Sequence, residues 1–144
     1  LAGPFPMSSP TMTDTAHTTG LLLFAHGARD PQWAGPFEAV AARCRAQRGD
    51  ARVQLAFLEF MAPDLVAGGN ALVAASCTVV DVVPLFLGAG GHVRKDLPVL
   101  LARLQEVHPS VRFTLRPAVG EAAALVDAMA AVALDSTLPE VPWR

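Results

Sequence analysis

From Gly20 onwards, apolar runs typical of β-strands alternate with segments whose apolar residues recur at helical spacing. Strands that are each followed by a helix pair in parallel, because the helix returns the chain to the same edge of the sheet. The strands are predicted at 21–26, 52–59, 79–87 and 111–116, and the helices at about 36–47, 63–77, 93–107 and 121–134. The pattern predicts an α/β fold, a parallel four-stranded sheet flanked by helices on both faces.

A proline in the third strand and a pair of glycines in the second helix lead to two further predictions. Pro84 has no N–H to donate, so we expect it at a bulge or near the end of the third strand. Gly68 and Gly69 lie in the middle of the second helix, where each glycine costs about 1 kcal/mol relative to alanine. We expect another part of the chain to pack closely against these glycines.

The composition predicts one globular domain, residues 20–144, after a floppy leader of residues 1–19. At 52% hydrophobic residues the chain can bury a core, and its net charge of -2, with scattered lysines and arginines, argues against a nucleic-acid binder. No apolar run approaches the roughly 20 residues of a membrane span. Cys44 and Cys77 form no C-x-x-C pair, so both are interpreted as small core residues of a cytosolic protein.

Polar residues that suit a metal ion follow the first three strands. His26 and Glu59 end the first two runs, and His92 follows the third after a glycine-rich loop. Because the carboxyl ends of parallel strands meet at one edge of the sheet, we expect the three side chains to converge. Two imidazoles and a carboxylate suit cobalt, ferrous iron, nickel or zinc better than magnesium or calcium. The hypothesis is a metal site formed by His26, Glu59 and His92.

Each of these residues also has a structural interpretation. A single histidine at a strand end is more often a capped structural group than a ligand, and an exposed glutamate there is ordinary. The conjunction of three such residues at three strand exits favours the metal site. His92 also begins the third helix, where the positive end of the helix dipole disfavours a protonated imidazole and keeps the ring available as a ligand or base.

The loop before His92 and the nearby cations suggest an anionic ligand. The loop is compatible with a flexible turn or a phosphate nest, but it lacks the lysine and hydroxyl of a P-loop. Arg29, Arg94 and Lys95 flank the two histidines, although solvated charges are the usual interpretation of such residues. The candidate substrate-binding residues are Arg29, Gly88, Ala89, Gly90, Gly91, Arg94 and Lys95.

Several motifs together resemble one protein family. They are HGARDP (26–31), FLE (57–59), PDL (63–65), PLFL (84–87) and GHVRKDLP (91–98). In this order, over about residues 20–134, they resemble the class II chelatases of the sirohydrochlorin type, the CbiX-like proteins of cobalamin and siroheme synthesis. Ala28 departs from the pattern, because the family more often has serine there.

The resemblance implies a chelatase-type flavodoxin-like sandwich that inserts a divalent metal into sirohydrochlorin or a related anionic tetrapyrrole. His26 and His92 match the family's metal-binding and catalytic histidines, and Glu59 matches a metal-site glutamate of some members. The metal, namely cobalt, ferrous iron or nickel, is then a substrate, and no organic cofactor is needed. The short, single-unit members are homodimers, so the resemblance implies a homodimer.

Two other functions remain open from the sequence. The first is a carrier that binds a metal or a tetrapyrrole with the same residues but without turnover. The second is a flavodoxin-like module for a nucleotide or flavin. This second function is disfavoured, because the chain has no tyrosine to stack on a flavin and the loops after the first two strands are not hydroxyl-rich.

Overall fold

The computed structural model describes residues 18–49, 52–88 and 90–144, and the backbone alone at residue 92. The predicted leader therefore lies almost entirely outside the described residues. The strands are β1 (Thr19–Ala25), β2 (Val53–Phe57), β3 (Val79–Pro84) and β4 (Arg112–Leu115). The helices are α1 (Gly35–Arg48), α2 (Leu65–Ala74), α3 (Gly91–Val107) and α4 (Ala123–Ala133), with short 3-10 helices at Pro31–Ala34 and Val119–Glu121.

The four strands form one parallel sheet in the order β2-β1-β3-β4. This confirms the predicted parallel four-stranded sheet, in which β1 lies between β2 and β3. β1 has β2 on one side, and β3 followed by β4 on the other. The direction in which successive strands are added to the sheet therefore reverses at β1. In open parallel sheets the ligand crevice lies outside the carboxyl ends of the strands at this point.

Strands β2, β3 and β4 are shorter than predicted, mostly at the carboxyl edge, whereas β1 begins two residues earlier and ends one residue earlier than predicted. The first strand ends at Ala25 and leaves His26 outside the ladder, and the second ends at Phe57. The third ends at Pro84, in agreement with the expectation that proline lies near the strand end. The apolar run continues past the strand end without belonging to the strand: Phe86 is buried, Leu85 is half-buried and Leu87 is 65% exposed.

Two apolar clusters cover the two faces of the sheet. Along β1, Leu22 and Phe24 point to one face and Leu23 and Ala25 to the other, as strand geometry requires. Helix α3 contributes Leu97 and the fully buried Leu104 to the first cluster. Helix α1 contributes Ala41 to the second.

The glycine pair in α2 packs as expected. A Cβ atom at Gly69 would lie 2.7 Å from Cδ2 of Leu104, and one at Gly68 would lie 3.0 Å from Cδ1 of Leu22. Helix α2 therefore lies against both α3 and the sheet, and its glycines permit that approach.

Candidate metal and tetrapyrrole site

The chain after β1 is fixed to the chain after β2 by backbone hydrogen bonds. Leu58 N donates to the Ala25 carbonyl at 2.9 Å, and Glu59 N donates to the His26 carbonyl at 3.0 Å. Between these bonds the backbone turns at Gly27, where φ is 89° and a Cβ atom would lie 1.9 Å from the Glu59 carbonyl oxygen. Only glycine fits there. The structure therefore brings residues 26 and 59 side by side, with both side chains exposed.

His26 also contacts the segment that follows β3. Its ring lies 4.4 Å from the ring of Phe86, centroid to centroid, at an interplanar angle of 37°. Phe86 is buried, and Leu85 N donates to the Phe24 carbonyl at 2.7 Å, which holds this segment beside β1. His26 therefore rests on an apolar support while remaining open to solvent.

His92 lies in the first turn of α3, immediately after Gly91, and its side chain is outside the described part of the structure. The turn itself is defined: Gly90 is the N-cap, and Arg94 N donates to its carbonyl at 3.1 Å. Among the described side chains no group of three His, Cys, Asp or Glu residues is arranged to hold a metal ion. The three-residue metal site of His26, Glu59 and His92 stays a prediction.

The loop before α3 has no packing reason to be glycine. A Cβ atom at Gly88, Gly90 or Gly91 would meet nothing within 4 Å, and none of the three has a positive φ. Ala89 lies outside the described residues. The backbone of this loop is accessible to a ligand, which is the property expected of a loop that approaches a flat or anionic molecule.

A cavity of about 330 Å³ adjoins Phe86 on the side of α3 and β4. Apolar residues form most of its wall, and charged residues join them at the lining. The apolar lining includes Pro84, Phe86, Val93, Leu97, Leu115 and Ala118, and the charged lining consists of Arg94, Arg116 and Glu121. Phe86 lines this cavity and also contacts the ring of His26, so Phe86 connects the candidate metal-binding histidine to the cavity.

The sequence did not lead us to expect that residues after β4 line the cavity. Arg116 N donates to the Val82 carbonyl at 2.9 Å, and the Arg116 side chain forms an ion pair with Asp81 at 3.1 Å. Gly120 N donates to the Phe86 carbonyl at 2.9 Å, and a Cβ atom there would overlap the Leu87 carbonyl oxygen. The signal was available, since Arg116 follows a strand just as His26 and Glu59 do.

The predicted cationic residues separate into different environments. Arg94 lines the cavity, whereas the exposed Lys95 does not. The guanidinium of Arg29 lies 4.9 Å from the ring centroid of Phe60, a cation–π contact. Phe60 is itself 57% exposed and has a φ of 66°, so an aromatic side chain projects next to Glu59.

Known proteins are similar to this chain in sequence and in fold. The sequence model of the CbiX family matches residues 20–136. The chain belongs to the CbiX family. The resemblance inferred from the motifs is confirmed. A sirohydrochlorin ferrochelatase from Bacillus subtilis (strain 168) is 29% identical over 100 residues, which are 69% of this chain and 38% of that protein.

Solved structures of a CbiX protein and of a sirohydrochlorin chelatase are similar to this chain in fold. A CbiX protein of cobalamin (vitamin B12) biosynthesis from Marinobacter aquaeolei VT8 matches with a TM-score of 0.70 and 31% identity, over 81% of this chain and 94% of that one. The sirohydrochlorin chelatase SirB from Bacillus subtilis subspecies spizizenii, solved in complex with cobalt, matches with a TM-score of 0.73 and 27% identity, over 82% of this chain and 50% of that one. The chain thus spans about half of SirB and less than half of the Bacillus ferrochelatase.

Proposed function

We propose that this protein inserts a divalent metal ion into sirohydrochlorin or a closely related anionic tetrapyrrole. The observation that carries the proposal is the position of His26, whose imidazole packs against Phe86, a residue that also lines a mainly apolar cavity with Arg94 and Arg116 in its lining. A flat macrocycle with carboxylate substituents needs an apolar surface and cationic groups together. The names of the relatives, a sirohydrochlorin ferrochelatase and a cobalt-bound sirohydrochlorin chelatase, support the same chemistry.

Metal insertion requires the ion to lose water, to approach one face of the ring and to replace two pyrrole protons. His26 and His92 are proposed to hold the ion and then to accept the protons, with Glu59 as an auxiliary ligand or base. The backbone link between His26 and Glu59 supports this assignment, because it keeps the two residues adjacent. Arg29, Arg94, Lys95 and the loop of residues 88–91 are proposed to bind the substrate carboxylates.

Cobalt and ferrous iron are the metals we propose, since one relative is named a ferrochelatase and the SirB structure contains cobalt. Nickel suits the same ligands and belongs in the assay. The product is proposed to enter cobalamin or siroheme synthesis.

We also propose a homodimer in the cytoplasm. Cys77 is buried and Cys44 is half-buried, which suits the interpretation of both as small core residues of a cytosolic protein. None of the helices in the described part of the chain is long and apolar enough to cross a membrane.

The decisive experiment follows the absorption spectrum of sirohydrochlorin with cobalt, ferrous iron or nickel, with and without the protein. We expect product to form faster with protein present and to exceed one equivalent per chain. A product yield that stops at one equivalent indicates the carrier function instead. An unchanged rate with every metal would overturn the proposal.

A further inference from the structure

Phe60 is an exposed aromatic residue that directly follows Glu59 at the carboxyl edge of the sheet. Nearby, Leu58 packs against the first apolar cluster and Met61 against the second, whereas Phe60 belongs to neither and is 57% exposed. Its φ of 66° lies in the left-handed region, which is unfavourable for a residue with a Cβ atom. Core packing therefore does not explain the aromatic side chain, and an unfavourable backbone of this kind points to a functional role.

The ring of Phe60 contacts a cation of the loop that follows β1. The Cζ atom of Arg29 lies 4.9 Å from the ring centroid. The same two loops are joined by the hydrogen bond from Glu59 N to the His26 carbonyl, at 3.0 Å. The backbone bond thus connects residues 26 and 59, and the cation–π contact connects residues 29 and 60. The Arg29 guanidinium therefore lies over the residue that directly follows Glu59.

The cation–π contact leaves the hydrogen-bond donors of Arg29 available. A carboxylate partner would occupy these donors and neutralise the charge, but within the described part of the chain Arg29 forms no ion pair or hydrogen bond. Asp30, the acidic neighbour in sequence, accepts from Gln32 N at 2.9 Å and caps the 3-10 helix instead. Phe60 therefore holds a cation without using the groups that bind a carboxylate.

We propose that Phe60 is a positioning residue for the tetrapyrrole, because its ring holds the Arg29 guanidinium in place to bind a carboxylate substituent. This inference rests on the proposed function, in which Arg29 binds substrate carboxylates, and it identifies the residue that orients Arg29. A long side chain that is held before the substrate arrives loses less conformational entropy on binding. We therefore expect Phe60 to affect the affinity for the tetrapyrrole and not the rate of metal insertion.

The test is a double-mutant cycle in the full 144-residue chain, measured as the Kd of metal-free sirohydrochlorin by absorption titration. Phe60→Leu keeps an apolar side chain without the aromatic ring and should raise the Kd about threefold, the contribution of an exposed cation–π contact. Arg29→Gln should raise the Kd about tenfold, because a charged hydrogen bond is lost. The double variant should also be about tenfold weaker than the wild type, since without the guanidinium the ring has nothing to hold.

Two further variants at Phe60 separate the ring from the fold. Phe60→Trp should keep the wild-type Kd, because an indole is a better cation–π partner than a phenyl ring. Phe60→Gly removes the ring at a position whose φ glycine adopts without strain, so it should weaken binding as Phe60→Leu does even if the leucine variant is unstable. The kcat of metal insertion should be that of the wild type in all three variants.

Trp143 provides the matched control. It is 80% exposed, and the Cζ atom of Arg144 lies 4.6 Å from its ring centroid. Trp143→Leu removes the same kind of contact in the tail after α4 and should leave the Kd for sirohydrochlorin unchanged. Circular dichroism should show that this variant and Phe60→Leu are both folded, because neither aromatic residue belongs to an apolar cluster.

The outcomes distinguish the role of Phe60 from the proposed function. An unchanged Kd in both Phe60→Leu and Phe60→Gly would overturn the positioning role. A double variant about thirtyfold weaker would also overturn it, because the two residues would then act independently. Either result with normal metal insertion leaves the chelatase standing. The expected coupling without metal turnover would support the role of Phe60 and overturn the chelatase, and a wild type that binds no sirohydrochlorin would overturn both.

Discussion

The two edges of the sheet use the same residue types for different purposes. At the amino edge, Arg45 donates to the Val53 carbonyl at 3.2 and 2.9 Å, and Arg48 donates to the Thr19 carbonyl. At the carboxyl edge, Arg94 and Arg116 line a cavity and Arg29 lies over an exposed ring. The amino-edge arginines hydrogen-bond to backbone carbonyls, whereas Arg29 and Arg94 at the carboxyl edge are proposed to bind the substrate. Substitutions should therefore affect stability at one edge and activity at the other.

The histidines give the largest expected contrast between the edges. His26→Ala or His92→Ala should slow metal insertion about 10³-fold, or ~4 kcal/mol of barrier, because ligand and proton acceptor are lost together. The double variant should be little worse than either single variant, since residues that act as a unit are non-additive. Glu59→Ala should be milder, because two ligands and solvent still hold the ion. Initial rates by absorption spectroscopy measure these effects.

His108 is the matched control for this pair. It caps the far end of α3, and its Nε2 lies 2.7 Å from Oδ1 of Asn70. His108→Ala should keep the wild-type rate and lower the free energy of unfolding by about 1 kcal/mol, the contribution of one hydrogen bond. A folded His92→Ala protein that inserts metal at the wild-type rate would contradict the assignment of the site.

Gly27 is the expected exception to this contrast, because its substitution should lower stability although it lies at the carboxyl edge. Gly27→Ala should lower the free energy of unfolding by about 3 kcal/mol, because its Cβ would overlap the Glu59 carbonyl at a positive φ. Gly88→Ala, a glycine at the same edge with open space around it, should stay within about 0.5 kcal/mol of the wild type. Urea unfolding distinguishes the two, and equal stabilities would argue against the tight turn.

Arg45 tests the amino edge. Arg45→Ala should reduce the free energy of unfolding by about 1.5 kcal/mol, because a charged donor to the Val53 carbonyl is lost. The rate of metal insertion and the KM for tetrapyrrole should not change. Arg43→Ala, an exposed position on the same helix, serves as the control and should be neutral in both measurements. A changed KM in Arg45→Ala would show that the two edges are not independent.

The smallest effect is expected for the cations at the start of α3. Replacing Arg94 and Lys95 together by glutamine should raise the KM for tetrapyrrole about fivefold, or ~1 kcal/mol, and the effect should shrink as salt rises. Metal affinity and stability should stay the same. Glutamine at both Arg43 and Arg103 removes the same charge elsewhere. If KM rises equally in the Arg43 and Arg103 variant, the effect comes from the lost net charge and not from the positions of Arg94 and Lys95.

The sequence predicted the parts of the fold that depend on periodicity and the proximity of residues that follow neighbouring strands. The parallel sheet, the end of α3 at Val107 and the close packing at Gly69 were all expected. The proximity of His26 and Glu59 followed from strand topology alone. The contact of His26 with Phe86 did not, because side-chain packing beyond a strand end has no periodic signal.

The cavity wall after β4 depends on a single close approach, that of Gly120 to the Leu87 carbonyl, and single contacts between distant loops leave no pattern in a sequence. The exposure of α4 was also beyond prediction. Its composition resembles that of a buried helix, and hydrophobicity indicates that a surface will be covered without indicating by which chain.

The position of β1 in the sheet has a consequence for how the chain is made. β1 pairs with β2 on one side and with β3 on the other, so Leu22 faces both Gln54 and Val82. During synthesis β1 leaves the ribosome before β2 and β3, and its second edge stays open until β3 has been translated. Such long-range pairing slows folding and leaves an apolar strand unprotected on the nascent chain. The strand at the centre of the finished sheet is therefore the one that is exposed to misfolding for the longest time.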